Sequence, residues 1–375
     1  MKKIVLVSMI SALFLAGCGA PMTFTEATQV ERIPIEQSPA TLQVEQTPTE
    51  QSPATLQVEQ ITTEQSSATT QPSAPSPTEV FLPTATLPPV LAAALPYPEP
   101  LKVATETDLS YTKPLQPGVI EQKLDIYHPA GNGPRPLVMI LPSIANYRKT
   151  LAAASLAKKL AGQGMVVFVL DLGKKESVLD RLTDMAKDNG AEIREVFEEI
   201  SCGLLFAQSK VKEYGGNPDN VILLGYGIGS LYGLDVGLEG TQLESNWETF
   251  AAKRGGPPAQ TQCITQGEPV KVDAMVTYAG DLKLVSLKEV DPGLAEMLDP
   301  AMVAGGNPDL KITLMYNYKM IADDPLEYTT RVKDALTAAG LQVELFMIDT
   351  PNMTITSRGP ELDWITNAVL QYAKH

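Results

Sequence analysis

Histidine is almost missing from this chain: its 375 residues include two, His128 and His375. Cysteine is nearly as scarce, with Cys18, Cys202 and Cys263 far apart. Neither residue clusters at ligand spacing, so a histidine- or cysteine-built metal centre is excluded. The pair Asp323-Asp324 is by itself an ordinary surface feature. Basic residues are short too, 29 against 44 acidic ones, for a net charge of −15. That excess argues against nucleic acid and anionic lipid surfaces as partners. Aromatic residues are nearly absent from positions 19 to 96. A segment so poor in apolar surface does not offset the entropy of ordering itself.

At the N-terminus, Lys2 and Lys3 precede an apolar stretch, Ile4 to Phe14. It has the length of a signal peptide and is too short to span a bilayer as a helix. Leu15-Ala16-Gly17-Cys18 follows at once and resembles the bacterial lipobox. The resemblance implies a signal peptide over 1–17 and a mature chain starting at Cys18. The Cys18 sulfur would carry the lipid, anchoring an exported domain to a bacterial membrane through several acyl chains. Gly19 gives no inner-membrane retention signal of the aspartate kind. Residues 18–96 read as a tether rich in Pro, Thr, Gln, Ser and Glu, with eight glutamates against Arg32. EQSPATLQVEQTPT (36–49) recurs as EQSPATLQVEQITT (50–63) and frays into EQSSATTQ (64–71). Two and a half proline-broken copies without an apolar face read as a duplicated disordered tether rather than a structural repeat.

Residues 97–375 suit one large domain. Continuous apolar runs at 137–141, 165–170, 221–224, 272–278, 312–316 and 343–348 alternate with stretches of helical spacing at 151–164, 191–214, 228–238, 325–339 and 361–374. Apolar strands separated by amphipathic helices predict an α/β fold with a mostly parallel sheet covered on both faces. Segments near 102–107 and 119–127 read as flanking strands.

LDIYHPAG (124–131), LVMILPSIANY (137–147), FVLDLG (168–173), the run from Arg194 to Gly233 and AAGLQVELFMI (338–348) together resemble the α/β-hydrolase fold, on its dienelactone-hydrolase and small-esterase side. The resemblance implies a nucleophile elbow, Gly-x-Ser-x-Gly, at a tight strand-to-helix turn. Here it reads Gly225-Tyr226-Gly227-Ile228-Gly229. Both outer glycines stand, and the nucleophile position is Gly227, which has no side-chain oxygen. The family acid maps to Met320, with Asp323 and Asp324 reading as caps of the next helix. The family histidine belongs in the loop after the last strand, DTPNMTITSRGP, which holds none. By the resemblance His128 lies at the sheet end opposite the elbow, and His375 ends a helix running away from it. The oxyanion loop reads Pro142-Ser143-Ile144-Ala145 and lacks a His-Gly-Gly motif. These departures predict a domain that does not catalyse.

GYGIGS is a poor dinucleotide fingerprint, since Ser230 stands at its third glycine and its strand is not the first. Ser230 and Ser143, without a base, read as helix-start and loop hydroxyls. No cofactor and no metal are expected. Cys202 and Cys263, in an exported domain, admit either a bridge tying the polar insertion 239–270 to the body or two separate thiols. Three functions follow: an envelope-anchored module binding a small molecule, glycan or protein; a serine hydrolase with a rearranged site; and a structural envelope protein.

Overall fold

The computed structural model describes residues 99–131, 133–142, 147–172, 191–256, 261–279, 291–317, 325–348, 355–356 and 358–373. All of them belong to one compact unit. The signal, Cys18, the tether, Ser143, Ile144, Ala145, Met320, Asp323, Asp324 and His375 lie outside the described residues.

In chain order the elements are β1 (Val103–Ser110), β2 (Thr112–Pro114), β3 (Lys123–Pro129), β4 (Arg135–Leu141), α1 (Leu151–Gly162), β5 (Val166–Leu170) and α2 (Ala191–Lys210). Then come β6 (Gly216–Tyr226), α3 (Ile228–Glu239), α4 (Leu243–Lys253), β7 (Thr261–Cys263), β8 (Ala274–Tyr278), α5 (Pro292–Met297) and α6 (Pro300–Val303). The chain closes with β9 (Lys311–Asn317), α7 (Pro325–Ala338), β10 (Gln342–Ile348) and α8 (Glu361–Leu370). Eight strands form one sheet in the order β1-β3-β5-β4-β6-β8-β9-β10. From β5 to β10 all neighbours are parallel, while β1 and β3 join antiparallel at one side.

The apolar runs are continuous because helices cover both faces of the sheet. Side chains alternate between those faces along each strand. Val138, Ile140, Val167, Val169, Ile222 and Leu224 pack with α1 and α8. Leu137, Met139, Val166, Phe168, Val221 and Leu223 pack with α2, α3 and α4. All five residues of β5 and of β8 are buried. The helix expected over 191–214 is α-helical to Lys210 and finishes as a 3-10 turn, Val211–Tyr214, stopped by Gly215 at φ 74°.

The polar insertion is structured where described. Its helix α4 lays Leu243, Trp247 and Ala251 inward, and Trp247 stacks on Phe197 of α2 with ring centroids 4.6 Å apart. Its strand β7 pairs with β2 in a separate two-stranded sheet. Cys263 on β7 is disulfide-bonded to Cys202 in the middle of α2, so of the two states the sequence leaves open this structure holds the bridge. A loop of 61 residues is closed by it. The chain-entropy account gives such a closure about 4 kcal/mol.

Candidate functional site

Strand β6 is central in the sheet, and its C-terminal end turns at Gly227 directly into α3. Gly227 sits at φ 56°, ψ −127°, a conformation that L side chains rarely adopt and that costs a non-glycine residue about 1–3 kcal/mol. Its N–H donates to the Tyr278 carbonyl at 3.1 Å, and its own carbonyl accepts from Ser230 N–H at 2.9 Å. The outer glycines answer a different need. A Cβ on Gly225 would press into the backbone of Gly229 and Ser230, and one on Gly229 into the carbonyls of Leu141 and Pro142. The turn thus brings α3 against the ends of β4 and β6 with only hydrogen atoms between backbones. Ile228, directly after the turn, is buried.

No described side chain supplies a nucleophile–base pair here. Ser230, three residues past the turn, is fully buried, and its hydroxyl faces the Tyr278 carbonyl at 3.4 Å. His128 lies on β3 one step beyond the pairing of Tyr127 with Val167, at the N-terminal end of the parallel strands and opposite the elbow. Its ring sits 4.8 Å from that of Tyr214, which precedes β6. The expected separation of His128 from the elbow therefore holds. A general base must reach the proton it takes within about 3 Å.

Three features around the elbow escape a reading of the sequence. Tyr226 and Tyr278, paired in register on β6 and β8, stack with centroids 6.0 Å apart. Burial raises both phenols above their ordinary range, and the Ile355 N–H bonded to the Tyr226 hydroxyl partly offsets this. That bond ties the loop after β10 to the elbow strand. Ala279, next to Tyr278, holds φ 50°, unusual for a residue with a side chain. Glu361, the first residue of α8, is fully buried, and Gly359 is fitted against its carboxylate so closely that a Cβ would overlap it.

A charged knot anchors the chain that follows β4. Arg148 is 5% exposed and binds three carboxylates: Asp171 through Nε at 2.5 Å, Asp125 through Nη1 at 2.8 Å and Asp108 through Nη2 at 3.0 Å. Asp108 stands at φ 61° in a bulge of β1, and its N–H donates to Asp125 at 2.9 Å. Burial pushes the Asp171 carboxyl up, with Arg148 opposing. Asp108, exposed, is pulled down chiefly by its bonds to Lys149 and Arg148. The knot fixes residues 147–149 against the C-terminal end of β5.

Among the described residues no group of three or more His, Cys, Asp or Glu is arranged to hold a metal. Nor, among them, is any helix long and apolar enough to cross a membrane.

No family model matches the chain, and no curated protein does. Solved structures do resemble it. A phosphonate-inhibited esterase B from Lactobacillus rhamnosis superposes with a TM-score of 0.52 at 16% identity, covering 73% of this chain and 85% of that one. A truncated carbohydrate esterase from gut microbiota gives 0.51 at 15% identity, covering 74% and 99%. At such identity the likeness speaks to architecture alone. The domain has an α/β-hydrolase-like fold, and its turn from β6 into α3 carries a glycine at the apex.

Proposed function

We propose that this chain is an envelope lipoprotein, held to a membrane through Cys18, whose α/β-hydrolase-like domain binds a ligand or partner and does not hydrolyse esters. One observation carries the second half of that reading: Gly227 occupies the apex of the elbow, where the serine hydrolases of this fold place their nucleophile. The lack of a described histidine at that end of the sheet, and the burial of Ser230, support it. The lipobox-like Leu-Ala-Gly-Cys supports the first half.

The test is turnover of an activated ester by the purified domain, together with labelling by a fluorophosphonate. An active esterase serves as the positive control and the denatured domain as the blank. Neither turnover nor label above the blank is expected. A stoichiometric label on any serine would establish the rearranged serine hydrolase in its place.

A further inference from the structure

β1 and β3 last pair at Ser110 and Lys123, and between those residues the chain leaves the sheet as a hairpin. The base of the hairpin is fixed. Tyr111 N–H donates to the Gln122 carbonyl at 3.1 Å, and Gln122 N–H to the Thr112 hydroxyl at 2.9 Å. The Gln122 amide donates to Glu199 at 2.8 Å, and the Tyr111 hydroxyl to the Asp171 carbonyl at 2.6 Å. Tyr111, Thr112 and Gln122 are all buried. β2, the first arm, is held further by β7, which the Cys202–Cys263 bridge ties to α2.

The tip is bare. Pro117-Gly118 makes its corner, with Gly118 at φ 87° and Val119 N–H donating to the Gln116 carbonyl at 3.3 Å. A Cβ on Gly118 would meet nothing within 4 Å. Leu115 and Ile120 flank the corner and are 53% and 52% exposed. Ile264, whose N–H donates to the Tyr111 carbonyl, is 37% exposed beside the base. These are three of the five large apolar side chains exposed among the described residues, gathered on one small element rather than scattered. Pro114 to Ile120 include no charged residue, and Lys113 and Lys123 bracket them. Leu124, just inside the sheet, pairs with Leu170 of β5, and the pairs Ile140–Val169 and Leu141–Gly225 carry that row across to β6. The hairpin therefore projects from the end of the sheet where β6 turns at Gly227. Leu151, also exposed, opens α1 at the same end.

We propose that this tip dips into the surface of the bilayer that holds Cys18, turning the elbow end of the sheet toward the lipid. Leu115 and Ile120 enter the boundary between headgroups and acyl chains, while the ammonium groups of Lys113 and Lys123 stay among the phosphates. The net charge of −15 disfavours an anionic surface, but the uncharged tip suits a zwitterionic one. The same net charge disfavours a second copy as the occupant. The proposal rests on the lipid anchor. The chain from Cys18 to Glu99, about 80 residues, spans on the order of 50 Å as a coil, so the anchor keeps the surface within reach. A contact too weak to hold the domain by itself is then occupied.

The test uses the full lipidated chain in phosphatidylcholine vesicles, with and without bromine on the acyl chains. Ile120→Trp places a reporter at the tip. Met302→Trp places a control in α6, exposed and packed near the far end of α3. The unsubstituted protein, with Trp247 and Trp364, supplies the blank. Brominated lipid should quench the Ile120→Trp emission several-fold more than the Met302→Trp emission. With Val119→Trp as reporter, Leu115→Glu and Ile120→Glu together should bring quenching down to the control level. The melting curve and sedimentation with vesicles should stay unchanged. Equal quenching at the two reporters, in protein that sediments with the vesicles, would overturn the proposal and leave the anchor standing. A chain that carries no lipid and stays in solution would refute the anchor, and the proposal with it. Self-association of the Cys18→Ser chain that Ile120→Glu abolishes would also overturn it, since the occupant would then be a second copy.

Discussion

Asp235 is the residue whose replacement tests the energetics of this domain most directly. It lies in α3, a helix whose twelve residues are all buried. Its side chain is fully enclosed, and neither carboxyl oxygen has a hydrogen-bond partner among the described residues. Burial, then the nearby Glu239 and Asp299 carboxyls, hold it well above the usual carboxylate range. The folded protein therefore holds the Asp235 proton to higher pH than the unfolded chain, which ionises it near pH 3.9. Unfolding releases a proton, so rising pH favours the unfolded state. The Asp235 contribution is fully present below about pH 4. It is lost at about 1.4 kcal/mol per pH unit as pH climbs toward the folded-state value. Asp235→Asn keeps the shape and removes the titration. Its amide meets the same lack of partners as the neutral acid, so the two proteins should have similar stability near pH 4. As pH rises from 4 the variant should become the more stable of the two, with a higher melting temperature. Urea unfolding of both proteins at half-unit steps from pH 4 to 8 gives the difference directly. Contributions shared by both proteins, such as those of Glu198 and Asp171, largely cancel in it. Parallel stability curves, or a variant less stable at pH 7, would mean that Asp235 is ionised and paired, and the reasoning fails.

Two further outcomes are expected. Cys18→Ser should move the protein from the membrane fraction to the soluble one and abolish incorporation of labelled fatty acid; a lipid-labelled, membrane-bound variant would refute the anchor. Gly227→Ser should lower stability by about 1–3 kcal/mol, because serine must take up φ 56°, and should leave ester turnover at the level of the denatured blank; turnover well above that blank would reveal a base that the described residues do not show.

The strands and the elbow were legible in the sequence for physical reasons. Runs such as Val166–Leu170 are continuous because both faces of the sheet are covered. Gly225 and Gly229 stand out because a turn that tight leaves no room for their side chains, and Gly227 because it takes a positive φ. What stayed hidden depends on packing between distant segments. In α3 the residues Asp235 and Glu239 are one turn apart, and a helical pattern alone sends such a polar pair to solvent; here both are buried beneath neighbouring elements. Arg148 collects carboxylates from β1, from β3 and from the residue just past β5, 23 to 40 positions away. The three-residue strands β2 and β7 find each other across about 150 residues, too short to declare themselves by alternation. Glu361 reads as an ordinary acidic residue opening a helix, yet it is fully buried with Gly359 fitted against its carboxylate.

The turn from β6 into α3 also shows which of its glycines the fold itself demands. Two of its three glycines are demanded by backbone contacts within the fold: Gly225 by the first turn of α3, Gly229 by the carbonyls closing β4. Neither contact involves a substrate. Replacing either would separate α3 from the central strands and disturb both core layers, whether or not a serine stood between them. The middle position answers a different constraint: its positive φ makes glycine the residue the backbone accepts with least strain. Gly-Tyr-Gly-Ile-Gly therefore satisfies the backbone demands of this turn, with contact fixing its flanks and conformation favouring glycine at its centre.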